Sequence, residues 1–133
     1  MMNGKFIAAA EVEREQLEWG ELGWLSRPSE TGARHVTAIE VTLKPGFGHN
    51  FHKHPNQEEV IYVMSGEIEQ WLETDKRTLG PGDAIFINVN VVHASFNEGN
   101  EPARLMVMLG PCDGEGGYVS EEVGDQTPWH GLR

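Results

Sequence analysis

The stretch Gly46-Phe47-Gly48-His49-Asn50-Phe51-His52-Lys53-His54-Pro55-Asn56-Gln57-Glu58-Glu59 decides how this chain is read. His52 and His54 stand two positions apart. Along a β-strand successive side chains alternate between faces, so both imidazoles project to one side and can grip a single ion. Pro55, Asn56 and Gln57 supply turn chemistry, and the apolar run from Val60 to Met64 reads as the next strand, which Glu59 enters facing back toward the histidine pair. Further on stands a lone His93, with Asn97 four positions beyond it. Three imidazole nitrogens and one carboxylate oxygen suit a divalent transition ion with one or two open positions: imidazole favours Fe, Ni, Cu or Zn, and the carboxylate also admits Mn. An open position is where a substrate would bind.

These residues resemble the first motif of the cupin superfamily: a glycine, five residues, His-x-His, three or four residues, a glutamate, six residues and a glycine. Gly46, His52, His54, Glu59 and Gly66 meet every spacing. The second cupin motif is similar to the segment in which Gly82, His93 and Asn97 occupy the matching positions. Asn88 stands where that motif usually has proline and Asn90 where it usually has glycine. Asn tolerates the left-handed backbone better than most residues and can replace the glycine. The resemblance covers Gly46 to Asn97, a little over a third of the chain. It implies a metal held by His52, His54, Glu59 and His93, and an all-β fold, the antiparallel jelly-roll barrel.

The rest of the sequence agrees with one small barrel. Residues 35–43 alternate and are rich in β-branched types, ending at Lys44-Pro45-Gly46. Val60 to Met64 reads as a buried strand. Ser65-Gly66-Glu67 turns into a strand over Ile68 to Glu73, and Thr74-Asp75-Lys76-Arg77 closes a hairpin before Leu79. After Gly80-Pro81-Gly82-Asp83 come strands over Ala84 to Ile87, Val91 to Phe96 and Ala103 to Leu109, with Asn97-Glu98-Gly99-Asn100 as a hairpin loop. Short strands between such turns favour closure, which removes exposed edges. Val12 to Leu17 is read as a short helical turn and Trp19 to Leu25 as an outlying strand, although Gly20 and Gly23 weaken both. The expected organisation is a single domain over 1–133, with a barrel core over about 33–110, an N-terminal arm over 1–32 and an extended tail over 111–133 anchored by Trp129.

Composition narrows the function. The 133 residues carry a formal net charge of −11, and no basic stripe interleaved with aromatics occurs, so nucleic acid is excluded as an expected partner. The longest apolar stretches fall short of a membrane span, and the first ten residues lack a signal-peptide core, so the expectation is a cytoplasmic protein with no membrane partner. Cys112 is the only cysteine, which excludes an intrachain disulfide and a thiolate zinc cluster. The expected partners are a small-molecule substrate or ligand and a second copy of the chain, in a homodimer for which Trp19, Trp24 or Trp129 would suit the interface. Packing of these tryptophans onto their own barrel is the alternative.

Around the ligand set, Glu58 rivals Glu59 but leaves the wrong count to Gly66. Gln57, Asn88, Asn90 and Asn97 are candidates to orient the ligands, with turn roles the alternative for the asparagines. His49, just before the ligand strand, titrates near neutral pH and is a candidate catalytic acid or base; an exposed loop histidine is the competing reading. Tyr62 is a second catalytic candidate, as a proton donor, although alternation with Ile61 and Val63 can equally turn it outward. Phe47, Phe51, Tyr62, Trp71, Phe86, Met106 and Met108 are candidates to line an apolar cavity. His35 and His130 have no motif support. No Gly-x-Ser-x-Gly elbow, phosphate-binding loop or His-Glu-x-x-His helix occurs, so any chemistry belongs to the metal.

Three functions follow. The first is a dioxygenase-like enzyme in which one divalent ion, Fe placed ahead of Mn, Ni or Zn, acts on a small oxygen-bearing molecule; the resemblance puts dioxygenases among the leading options. The second is an isomerase or lyase with a redox-silent ion, in which His49 or Tyr62 moves a proton. The third is a binding module that holds a metal and a small ligand without turnover.

Overall fold

The computed structural model describes residues 3–133; Met1 and Met2, part of the stretch tested for a signal core, lie outside them. Eleven strands follow one another among the described residues: β1 Glu13–Leu17, β2 Gly20–Ser26, β3 Thr37–Leu43, β4 Gly48–Lys53, β5 Glu58–Ser65, β6 Ile68–Leu72, β7 Asp75–Leu79, β8 Ala84–Ile87, β9 His93–Phe96, β10 Ala103–Gly110 and β11 Glu121–Glu122, with one α-helical turn, α1, at Pro28–Thr31 and short 3-10 turns at Ala9–Glu11 and Trp129–Gly131. They form two antiparallel sheets, ordered β1-β2-β3-β10-β5-β8 and β11-β4-β9-β6-β7, in a jelly-roll arrangement. Among the described residues no helix is long and apolar enough to cross a membrane.

Period-two patterning builds the six-stranded sheet. In β3 the residues Thr37, Ile39, Val41 and Leu43 are buried while their neighbours are half-buried, and β10 repeats the pattern with Ala103, Leu105, Val107 and Leu109. Register then stacks like on like: Val107 lies opposite both Ile39 and Ile61, and Leu105 opposite both Val41 and Val63. These residues and Ile68 of β6 make the larger core. The five-stranded sheet places its aromatic residues differently. Phe51, Trp71, Ala94 and Phe96 form a second core with Val123, against which Trp129 and Leu132 of the C-terminal segment pack.

Several expectations change. Residues 12–17 are not helical: Glu13–Leu17 is an edge strand in register with Gly20–Trp24. The ladder supplied by β2 outweighs local helix propensity, and the charged residues of β1 are those that protect an exposed edge. Val60 to Met64 is buried on alternate residues only, with Tyr62 exposed on the outer face. The turn between β6 and β7 is Glu73-Thr74, so Asp75 already belongs to a strand. Asn97–Asn100 does not close a hairpin, because β9 and β10 lie in different sheets; Asn97 is buried there and its Nδ2 donates to the carbonyls of Leu43 at 3.0 Å and Glu101 at 2.7 Å. Gly66 sits at φ +79°, and a Cβ there would come within 2.8 Å of the Ala103 Cα, so the glycine answers a close backbone approach as well as a turn.

The termini are structural. β2 pairs with β3 and so carries the N-terminal segment into the larger sheet, while β11 pairs with β4. The segment after residue 110 crosses from one sheet's end to the other and closes in a short helical turn at Trp129–Gly131. All three interface candidates are engaged by their own chain: Trp24 is buried, Trp19 stacks on His49, and Trp129 covers the second core.

Candidate metal centre

His52 on β4, His54 just beyond it and His93 on β9 are 4 %, 3 % and 1 % exposed, and the ligand nitrogens of the three lie within 4.8 Å of one another. Glu59, the first inward residue of β5, faces them from the opposite sheet, its Oε1 2.7 Å from His93 Nε2 and 3.4 Å from His54 Nε2. Its neighbour Glu58 is exposed. The register explains the meeting: His52 is paired directly with His93 across β4 and β9, which brings two imidazoles from distant parts of the chain onto one face.

The rings are oriented by backbone carbonyls. His52 Nδ1 lies 2.6 Å from the Asn50 carbonyl, His93 Nδ1 3.0 Å from that of Val91, and His54 Nδ1 2.9 Å from that of Val119. A carbonyl only accepts, so each Nδ1 carries the proton and each neutral ring leaves Nε2 as a bare lone pair toward the centre. Glu59 Oε1 and His93 Nε2 are then two acceptors facing each other, both buried and without a hydrogen-bond partner. Such atoms are costly unless something positive lies between them. The donor set therefore fits a divalent transition ion.

The electrostatics show how strongly the cluster attracts positive charge. Burial pushes His52 well below its ordinary value, with the neighbouring His49 and His93 adding to the shift. His54 is also pushed down by burial, but the Glu59 carboxylate outweighs this and its net shift is upward. Burial pushes Glu59 up, yet His93 and His54 together hold it well below the usual carboxylate range, so it is the ionised anion of the cluster.

His49 also faces the cavity. It is three residues from His52, a separation that would place it on the other face of a regular strand. A register shift between His49 and His52 in the β4–β9 ladder restores the common face, and the two rings stack 3.6 Å apart. Trp19 covers the other side of His49 at 5.1 Å, and Glu122 of β11 lies 3.5 Å from its Nε2. The hydrogen bond with His49 lowers the Glu122 pKa.

The remaining walls are apolar: Leu22, Ile39, Val41, Ile61, Leu105 and Val107 of the six-stranded sheet face the histidines, with Tyr118 at the side. Free space is about 50 Å³, room for a few waters. None of the seven apolar candidates lines it. Phe51 and Trp71 belong to the second core, and Phe47, Tyr62, Phe86 and Met108 are exposed. Tyr62 is 43 % exposed on the outer face of β5, pointing away from the centre, so it is corrected as a catalytic candidate. Asn90 adopts φ +63°, as expected of an asparagine in the glycine position, and Asn88 bonds the Val89 amide at 2.8 Å, a turn role. Trp19, named from the sequence only as an interface candidate, and Tyr118 and Glu122 come to the site without any local pattern that marks them for it.

Comparison with known proteins agrees with this fold. Residues 39–109 match the model of the Cupin domain, and the chain belongs to that family. It is 30 % identical over 130 residues to Protein SchB of Streptomyces halstedii, covering 96 % of this chain and 94 % of the relative. It is 28 % identical over 110 residues to Polyketide synthase CurC of Streptomyces cyaneus, covering 83 % and 71 %. Among solved structures, the polyketide cyclase RemF from Streptomyces resistomycificus superimposes with a TM-score of 0.76 over 99 % of both chains at 21 % identity, a likeness of fold.

Proposed function

We propose that this chain is a metal-dependent enzyme that performs redox-silent carbonyl chemistry on an oxygen-bearing, largely apolar small molecule of polyketide type. The observation that carries the reading is the pair of buried, unpartnered acceptors, Glu59 Oε1 and His93 Nε2, beside two further imidazoles at the polar end of an otherwise apolar cavity. His52, His54, Glu59 and His93 would hold the ion. When bound, it supplies Lewis acidity to a substrate carbonyl or enol oxygen. The apolar wall takes the carbon skeleton and keeps water out. His49 moves the proton: its imidazole accepts one from a carbon next to the polarised carbonyl, and the Glu122 carboxylate, 3.5 Å from its Nε2, stabilises the imidazolium that results. The likeness to CurC and RemF, which bear polyketide synthase and cyclase names, supports the substrate class. A cavity of about 50 Å³ holds only a fragment of such a molecule, so Trp19 or Tyr118 at its edge must yield on binding.

The dioxygenase-like reading draws on the same donors, since two histidines and a carboxylate also suit Fe(II) and oxygen. Elemental analysis of the purified untagged chain, followed by turnover of poly-β-ketone and hydroxyaromatic compounds with and without oxygen, separates the two. Anaerobic turnover lost in His49→Ala with the metal retained is the expected result. Turnover that stops without oxygen returns the dioxygenase to first place, and a metal-loaded chain that turns over nothing leaves the binding module.

A further inference from the structure

The three imidazoles obtain their carbonyl partners in different ways. His52 and His93 each bond a carbonyl two residues back on their own segment, at Asn50 and Val91. His54 bonds Val119, which is 65 residues away. Its orientation therefore depends on where the segment 111–119 lies. That segment is held by Gln57, only three residues after His54 and 1 % exposed. Gln57 Nε2 donates to the Pro111 carbonyl at 2.8 Å and to the Gly117 carbonyl at 3.0 Å, while its Oε1 accepts the Val119 amide at 3.2 Å. Both amide hydrogens and the carbonyl oxygen are thus spent on one segment. An apolar side chain of the same size would fill the space, but a buried amide is tolerated only where its bonds are met, and that requirement selects one placement of the segment.

We propose that Gln57 is a positioning residue for His54: by gripping residues 111–119 it sets the Val119 carbonyl against His54 Nδ1, so that the ring keeps its proton there and turns a bare Nε2 to the cavity. The inference rests on the metal-dependent reading only for what that Nε2 then holds. A second hold on the segment, the Thr37 hydroxyl donating to the Gly117 carbonyl at 2.7 Å, provides the control, because it touches neither Val119 nor His54.

The test uses the full metal-free chain with nitrogen-labelled histidines, read by long-range proton–nitrogen correlation at mildly alkaline pH, together with Zn titration. In the unaltered chain His54 carries its proton on Nδ1. In Gln57→Met an Nε2–H population appears for His54 alone, His52 and His93 stay as they were, and Zn affinity falls about 10- to 100-fold, as for other partners that orient a ligand. Thr37→Val lowers the melting temperature without moving the His54 signals. If Gln57→Met does not fold, Gln57→Glu, which keeps the shape and the acceptor but loses both donors, decides in its place. His54 protonated on Nε2 in the unaltered chain, or an unmoved His54 in the folded Gln57 variant, overturns the proposal. A moved His54 in a chain that binds no Zn upholds the positioning role and removes the metal reading instead.

Discussion

The two sheets divide polar and apolar work in opposite senses. The six-stranded sheet is apolar inside, where Ile39, Val41, Ile61, Leu105 and Val107 stack in register. The five-stranded sheet turns His52, His93 and Ser95 toward the cavity and carries Phe51, Trp71, Ala94 and Phe96 on its other face. A sheet whose inner face is a cluster of imidazoles gains little hydrophobic stabilisation there. Its apolar burial lies outside, under Val123, Trp129 and Leu132. The C-terminal segment is thus the second layer that a polar inner face demands, and it also brings Tyr118, Val119 and Glu122 to the cavity.

Substitutions that separate metal binding from stability test this division. The largest effect is expected for His93→Ala, where Zn affinity measured by calorimetry should fall by more than the roughly 10- to 100-fold typical of outer partners. The metal-free variant should stay folded and lose less than about 2 kcal/mol, because one of the two unpartnered acceptors leaves with the ring while Glu59 Oε1 stays behind; a chain that unfolds instead would make His93 a packing residue. Phe51→Ala, on the outer face of the five-stranded sheet, should cost about 3 kcal/mol or more in urea unfolding, as expected of a true core aromatic. A cost under about 1 kcal/mol would mean the C-terminal cover is superficial. Leu105→Ala should cost about 2 kcal/mol, the low end for such truncations because it already borders a cavity, and leave Zn affinity unchanged. Tyr62→Ala, on the outer face of β5, should change stability by less than about 1 kcal/mol and leave turnover intact.

The smallest effect concerns pH. Partial burial pushes Glu69 up, but the Trp71 Nε1–H at 2.6 Å and Arg133 outweigh it and hold the carboxyl below its ordinary value. A group lowered in the folded state adds stability above its unfolded pKa and loses it as pH falls through the folded one. At this partly exposed site that amounts to a few tenths of a kcal/mol. Glu69→Gln should remove that acid-side slope from urea unfolding repeated between neutral and acidic pH; an unchanged slope would show that Glu69 does not help pin Arg133 over the Phe96 ring.

Legibility followed range along the chain. Gly46, His52, His54, Glu59 and Gly66 form a local spacing, and alternation and one turn make His52, His54 and Glu59 face one another; His93 joins them through its pairing with His52 across β4 and β9. Asn90 could be read because one backbone conformation explains it. His49 was visible as a residue but not as a cavity residue, since the register shift that turns it inward is a property of the β4–β9 pair. The aromatic candidates failed for a related reason. Phe51 and Trp71 are apolar and buried, yet composition does not say which of two cores receives them. The helical reading of residues 12–17 failed because β2 offers a ladder that local propensity does not register.

What the sequence by itself determined was the strand periodicity, most of the turns and the local trio His52, His54 and Glu59, consequences of side-chain direction over a few residues, with His93 marked by its resemblance to the second cupin motif. Only the tertiary structure decided that His93 pairs with His52, that Leu, Ile and Val of the six-stranded sheet rather than the seven residues expected from the sequence wall the cavity, and that Val119 orients His54. Each of those depends on which distant strand lies alongside. That choice is made by burying apolar area and pairing backbone groups across the whole chain, and no short window of sequence contains it.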